Sequence, residues 1–264
     1  MPVKAASEMT NAAPLVPHSA AGAFHEIVAS RPSVALYGSV ARGDARPDSD
    51  VDVVVIDDWP MEEEQQGRIS VTAYKEDHLL ELAGAGSLFV LHLKEEARVV
   101  KDLRGAFARV FAAWTMPDFE RTVAGMRAAA AVLDVPPTIA RERAADLAAT
   151  ALFLVRSVVY LRCLQKGNPA FATPQVAGVL GDDELARFLD DARSGGIGPE
   201  EIRKRSLAFL DDYLEGVLPN PFGNLAALAV SCYGVFPLAS SIALRLATAE
   251  RPIRYATALA RWWT

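Results

Sequence analysis

The chain changes texture once, near residue 115, and that change limits its architecture more than any other feature. Before it, short β-branched runs alternate with helix-like stretches. Val34–Tyr37 is an apolar run closed by Gly38. Val51–Ile56 reads Val-Asp-Val-Val-Val-Ile, a strand with one polar intrusion, and Ile69–Tyr74 alternates with period two. Phe24–Ser30, Glu76–Ala83 and Leu88–Val110 are patterned as helices, the last broken near Asp102. After Pro117 only helices are expected, over Arg121–Leu133, Ile139–Gln165, Pro174–Leu180, Asp182–Arg193, Pro199–Val217 and Leu225–Ala249. Pro136-Pro137, Gly195-Gly196 and Pro219-Asn220-Pro221 punctuate them. An α/β module followed by a helical module is the expected order.

Charge follows the same division. Residues 1–115 carry 17 acids against 11 bases, whereas residues 116–264 carry 16 of each, so the net charge of −6 lies wholly in the first half. Acid concentrated there suits a site that gathers metal ions and disfavours a broad nucleic-acid surface, which needs clustered Lys and Arg. Two cysteines, Cys163 and Cys232, exclude a disulfide framework, and with four scattered histidines they fit no zinc pattern. The first twenty residues hold one positive charge, Lys4, and no apolar core segment, so no signal peptide is read there and a cytoplasmic location is the default expectation.

Leu225–Leu244 is twenty residues without a charge, which is membrane-spanning length. Gly234 and Pro237 interrupt it, so a pair of core helices is expected instead, and no membrane association.

The chemistry-bearing residues lie in one short stretch. Leu36-Tyr37-Gly38-Ser39-Val40-Ala41-Arg42-Gly43-Asp44 is followed by Ser49-Asp50-Val51-Asp52. A strand ends at Gly38, a short helix follows the Gly38-Ser39 turn, and a second strand begins at Asp50. Asp50 and Asp52, two apart on a strand, face the same way. Side-by-side carboxylates repel unless a cation sits between them, and oxygen-only ligands favour Mg²⁺ over zinc. The Gly38-Ser39 turn exposes backbone N–H groups, a cradle for phosphate to which the Ser39 hydroxyl adds a bond. Together they suit a metal-bound triphosphate. No Gly-Lys-Ser/Thr follows the turn, so this is not a Walker P-loop.

Gly-Ser, then Arg-Gly, then Ser-Asp-x-Asp at this spacing resembles the signature of the nucleotidyltransferase superfamily related to DNA polymerase β. The likeness is to its minimal and aminoglycoside nucleotidyltransferase-like branch, and covers residues 24–111. It implies an α+β fold, a small mixed sheet with flanking helices, followed by an all-α C-terminal domain. The boundaries expected are a flexible tail over 1–22, a catalytic domain over 23–115 and a helical substrate or partner domain over 116–264. It also implies transfer of a nucleoside monophosphate from a nucleoside triphosphate, with ATP the expected donor, to an acceptor hydroxyl. By the resemblance, Gly38 and Ser39 hold phosphates, Asp50 and Asp52 hold one or two Mg²⁺ ions, and Arg42 reaches a phosphate or is simply a surface residue.

Active members add a third carboxylate from a neighbouring strand. Here that strand is read as Ile69–Tyr74, with Ser70 and Thr72 where an acid is expected. Glu62, Glu63, Glu64 and Asp77 are the nearby acids, a misplaced strand is another explanation, and weak or lost activity a further one. The Glu62–Glu64 run reads as a solvated loop or helix face, and Asp77 as a helix-start residue. His92 reads as a structural helix residue. Arg156, set in an apolar helix, needs a partner such as Asp146 or a cleft. The C-terminal Arg245, Arg251, Arg254, Arg261, Tyr255, Trp262 and Trp263 read as a docked terminal helix, with RNA binding less favoured. The acceptor expected is a small molecule such as an aminoglycoside. Protein AMPylation, tRNA nucleotide addition in a toxin–antitoxin setting, and a non-catalytic nucleotide-binding module are the alternatives.

Overall fold

A computed structural model describes residues 16–46, 49–58 and 63–248. The chain divides into two compact units, Met1–Met116 and Pro117–Thr264.

The first unit opens with a 3-10 turn, His18–Ala20, and α1 (Ala21–Ser30). Val16 and Ala20 join the apolar core there, so the last residues of the stretch read as a tail are packed, while residues 1–15 lie outside the described residues. Then come β1 (Ser33–Tyr37), α2 (Gly38–Arg42), β2 (Val51–Ile56), β3 (Glu63–Gln66) and β4 (Ile69–Tyr74). The unit closes with α3 (Glu76–Gly84), α4 (Leu88–Glu96), β5 (Arg98–Asp102) and α5 (Ala106–Ala113).

The five strands form one sheet in the order β3-β4-β2-β1-β5. β1 runs antiparallel to both β2 and β5, β2 runs parallel to β4, and β3 is antiparallel to β4. The sheet is therefore mixed. All five residues of β1, and every residue of β2 except Asp52, are buried. Strands covered on both faces need no alternation, which is why β2 reads as a valine run with one exception. The exception marks the site.

Two strands differ from the sequence expectation. Glu63–Gln66, which takes in the last two residues of the Glu62–Glu64 run read as a loop or helix face, is β3, joined to β4 by a turn at Gly67 with φ of 62°. Leu88–Val110 is not one broken helix but α4, β5 and α5 in succession. Ser33 donates to Asp102 Oδ1 at 2.8 Å, and the Ala106 amide donates to the same oxygen at 2.8 Å. Asp102 thus joins β1 to the start of α5, where the helical pattern resumes.

The second unit holds α6 (Phe119–Ala130), a 3-10 turn at Ala131–Leu133, α7 (Pro137–Glu142), α8 (Ala144–Gln165) and α9 (Thr173–Leu180). It continues with α10 (Asp183–Ser194), α11 (Pro199–Leu214), α12 (Leu225–Cys232) and α13 (Pro237–Thr248). No strand occurs among its described residues. Asp118, Asp182 and Asn224 cap three of these helices, each side chain accepting an N–H of the first turn. Ile139–Gln165, expected as one helix, is two, because Arg143 leaves the helical region at φ −116° and ψ 25°.

Leu225–Leu244 folds as two helices of 8 and 12 residues, each too short to span a bilayer. α8 has the length and mean hydropathy of a span, yet 72% of that window is buried inside the protein. Arg162 donates to the Tyr213 carbonyl and Arg127 to the Leu214 carbonyl, both at 2.7 Å through Nε. Two cations therefore satisfy the carbonyl end of α11, where the helix dipole favours them.

Candidate active site

The site is assembled where β1 turns into α2. Tyr37 is extended, and Gly38 takes φ of 71°, the left-handed region that costs a side chain dearly. A β-carbon on Gly38 would lie 2.9 Å from Oδ2 of Asp52. The pairing explains this, since Tyr37 stands opposite Asp52 across the β1–β2 ladder. Gly38 is thus required twice over, by its backbone angle and by the carboxylate above it.

Asp50 lies one residue before β2 and is exposed, while Asp52 lies inside the strand and is half-buried. Ser39 is half-buried at the start of α2. The structure therefore brings Gly38, Ser39 and Asp52 together at one strand end, with Asp50 at the lip.

β4 is the parallel neighbour of β2, with Asp52 opposite Ser70 and Val54 opposite Thr72. The strand chosen from the sequence is a direct neighbour of β2, and it carries no carboxylate. Gln65 on β3 pairs with Ser70, so one row across three strands reads Asp52, Ser70, Gln65. Glu63 and Glu64 pair with Thr72 and Val71 on the edge strand, two inter-strand spacings, about 10 Å, from β2. Glu62 lies outside the described residues. Asp77 is exposed in the first turn of α3. Among the described residues no group of three His, Cys, Asp or Glu is placed to hold a metal ion.

One residue that sequence reading passed over sits beside this row. Arg68 precedes β4, its carbonyl accepts the Val51 amide at 2.8 Å, and its guanidinium donates to the Ser49 carbonyl. The loop leading to the Asp pair is pinned to β4 by a cation. The signal was its place immediately before the third strand of the motif.

Arg42 ends α2. Its Nε donates to Asp44 Oδ2 at 3.2 Å and its Nη1 to Glu96 Oε2 at 2.6 Å. The same Glu96 oxygen lies 2.9 Å from Nε2 of His92. An ionised carboxylate only accepts, so that nitrogen is the donor. Burial would lower the Arg42 guanidinium, but Glu96 and then Asp44 hold it above its ordinary value. Burial would raise the Glu96 carboxyl, but the hydrogen bond and charge of His92, then those of Arg42, hold it below its ordinary value. His92 is buried and meets Tyr37 edge-on, with ring centres 6.0 Å apart.

Asp146, weighed as a partner for Arg156, lies 3.7 Å from Arg143 instead, and Arg156 is half-buried in α8. Arg251, Arg254, Tyr255, Arg261, Trp262 and Trp263 lie outside the described residues.

Residues 22–125 match the family model of the nucleotidyltransferase domain. That segment belongs to the nucleotidyltransferase superfamily, and its domain is that of a transferase enzyme. A nucleotidyltransferase-like protein from Exiguobacterium sibiricum, known from its crystal structure, is 17% identical, with a TM-score of 0.31 over 74% of this chain and 73% of that one. At that TM-score the likeness supports no inference about this chain. Among curated proteins none matches the sequence.

Proposed function

We propose that this protein moves a nucleoside monophosphate from a nucleoside triphosphate to an acceptor hydroxyl. ATP is the donor we favour, the acceptor is a small molecule such as an aminoglycoside, and the setting is cytoplasmic. The acceptor oxygen bonds to the α-phosphorus, the bond from that phosphorus to the bridging oxygen breaks, and pyrophosphate leaves with the electron pair. The acceptor proton passes to water.

The carrying observation is the approach of Asp52 Oδ2 to Gly38, a space that a β-carbon would fill. It supports a phosphate chain lying along the Gly38-Ser39 turn within reach of the Asp52 carboxylate. Asp50 and Asp52 offer hard oxygen ligands, which with phosphate oxygens suit Mg²⁺. Bound there, the ion would supply neutralisation of charge on the transferring and departing phosphates. Ser39 adds a hydroxyl donor. Arg42 has five N–H donors and places two on carboxylates, which leaves others for a phosphate oxygen.

The test is incubation of the full chain with Mg²⁺ and each labelled nucleoside triphosphate, with aminoglycosides, tRNA and proteins as acceptors. Label transfer that vanishes in Asp52→Ala supports the reading. Triphosphate binding without transfer to any acceptor supports a second one, a nucleotide-binding module, which Ser70 opposite Asp52 favours.

A further inference from the structure

The nucleotide site rests on a helix too short to hold itself. α2 has five residues, and a single turn of helix is unfavourable without outside support. One end grows out of β1. The other is Arg42, tied to Glu96 at the end of α4, fifty-four residues away.

Glu96 is oddly chosen for holding α4 in place. A carboxylate at the C-terminal end of a helix opposes the helix dipole, and its side chain is only 10% exposed. Leu88, Phe89, Val90, Leu91 and Leu93 already bury the apolar surface of α4. What Glu96 does is collect two donors on one oxygen, Arg42 Nη1 and His92 Nε2. His92 in turn packs on Tyr37, the residue before Gly38 and the partner of Asp52. The contacts close a ring from Tyr37 through α2 to Arg42, Glu96, His92 and back to Tyr37.

We infer that Glu96 and His92 are positioning residues for the triphosphate: through Arg42 and Tyr37 they fix the Gly38-Ser39 turn from both ends. The inference rests on the nucleotide reading of that turn. Charge alone makes the opposite forecast. Glu96 is a negative group near a site for a polyanion, so its removal should tighten triphosphate binding if it has no positioning role.

The experiment uses the full chain in three variants. Glu96→Gln removes the charge. His92→Phe keeps a ring against Tyr37 but removes the donor, and His92→Gln keeps a donor. Affinity is measured by calorimetry for ATP, GTP, CTP and UTP, each with Mg²⁺, and KM is measured separately for triphosphate and acceptor. Amide exchange is followed at Gly43 and Asp44, whose N–H groups close α2 on the Ser39 carbonyl at 3.0 and 3.1 Å. Glu96→Gln and His92→Phe should weaken triphosphate binding about tenfold, the loss of one charge-assisted hydrogen bond, with acceptor KM unchanged. Exchange at Gly43 should quicken in both, and His92→Gln, which keeps a donor for Glu96 but loses the ring, should bind triphosphate more tightly than His92→Phe. Tighter or unchanged triphosphate binding with unchanged exchange overturns the inference. If the wild type binds no triphosphate, the nucleotide reading falls, and exchange at Gly43 alone decides whether the ring holds the turn.

Discussion

Oδ2 of Asp52 stands 2.9 Å from where a β-carbon of Gly38 would be. A strand residue and a turn residue fourteen positions apart thus share one small space. Gly38→Ala should displace the carboxylate and strain a backbone at φ of 71°, at about 1–2 kcal/mol for the angle alone. Thermal unfolding should show that loss, and triphosphate binding should fall with it. A variant as stable as the wild type would contradict both parts.

Asp52→Asn keeps the shape of the side chain and removes its charge. Transfer should fall at least about a hundredfold, as when one group that stabilises a transition state is lost. Unfolding temperature should be little changed, because Asp52 is half-buried at a strand end.

Ser70 lies directly opposite Asp52 on the parallel strand. Ser70→Asp would put a third carboxylate in the row. Mg²⁺ affinity should rise about tenfold, measured by calorimetry with the metal alone, because each added carboxylate strengthens a hard-cation site. If transfer rises as well, the acceptor step had lacked a base.

Glu96 titrates below its ordinary value of 4.5 in the folded protein. A carboxyl depressed by folding stabilises the native state above its unfolded value, and that stability is lost as pH falls through the folded one. Denaturation midpoints should therefore drop as pH falls below about 4.5. Glu76, lowered by Arg109, and Glu200, lowered by Arg203, contribute to the same slope. The gap between wild type and Glu96→Gln isolates Glu96, and it should shrink as the acid is protonated. A gap that stays constant across the titration would refute this.

Burial pushes the Cys163 thiol up from 9.0 to about 11. At pH 8 its reactive thiolate is then about a hundredfold scarcer than for a thiol at the usual value. Iodoacetamide should label Cys163 slowly in the folded protein and rapidly in denaturant, read by mass spectrometry.

Much of the site is written locally. Gly38 is the residue that a positive φ demands, and the lone Asp52 in a valine run announces a polar task inside a buried strand. β1 and β2 were legible as short, mostly apolar runs, and β4 by its period-two alternation. β5 was not, since Arg98-Val99-Val100-Lys101-Asp102 follows a strong helix and only two of its residues are apolar. Its strand state comes from pairing with β1, more than sixty residues earlier. β3 was hidden in the same way, because glutamates and glutamines have little preference for a strand, and β4 supplies the partner.

By itself the sequence determined the nucleotidyltransferase motif, the order of an α/β half before a helical half, and the placing of all net acid in the first. Those properties follow from composition, periodicity and residues a few positions apart. Only the tertiary structure decided that Ser70 rather than an acid faces Asp52, that Arg68 pins the loop before Asp50, and that Arg42 is held by Glu96. Each of these joins chain segments distant in sequence, and strand register and side-chain pairing across such distances are set by how the sheet and its helices pack together.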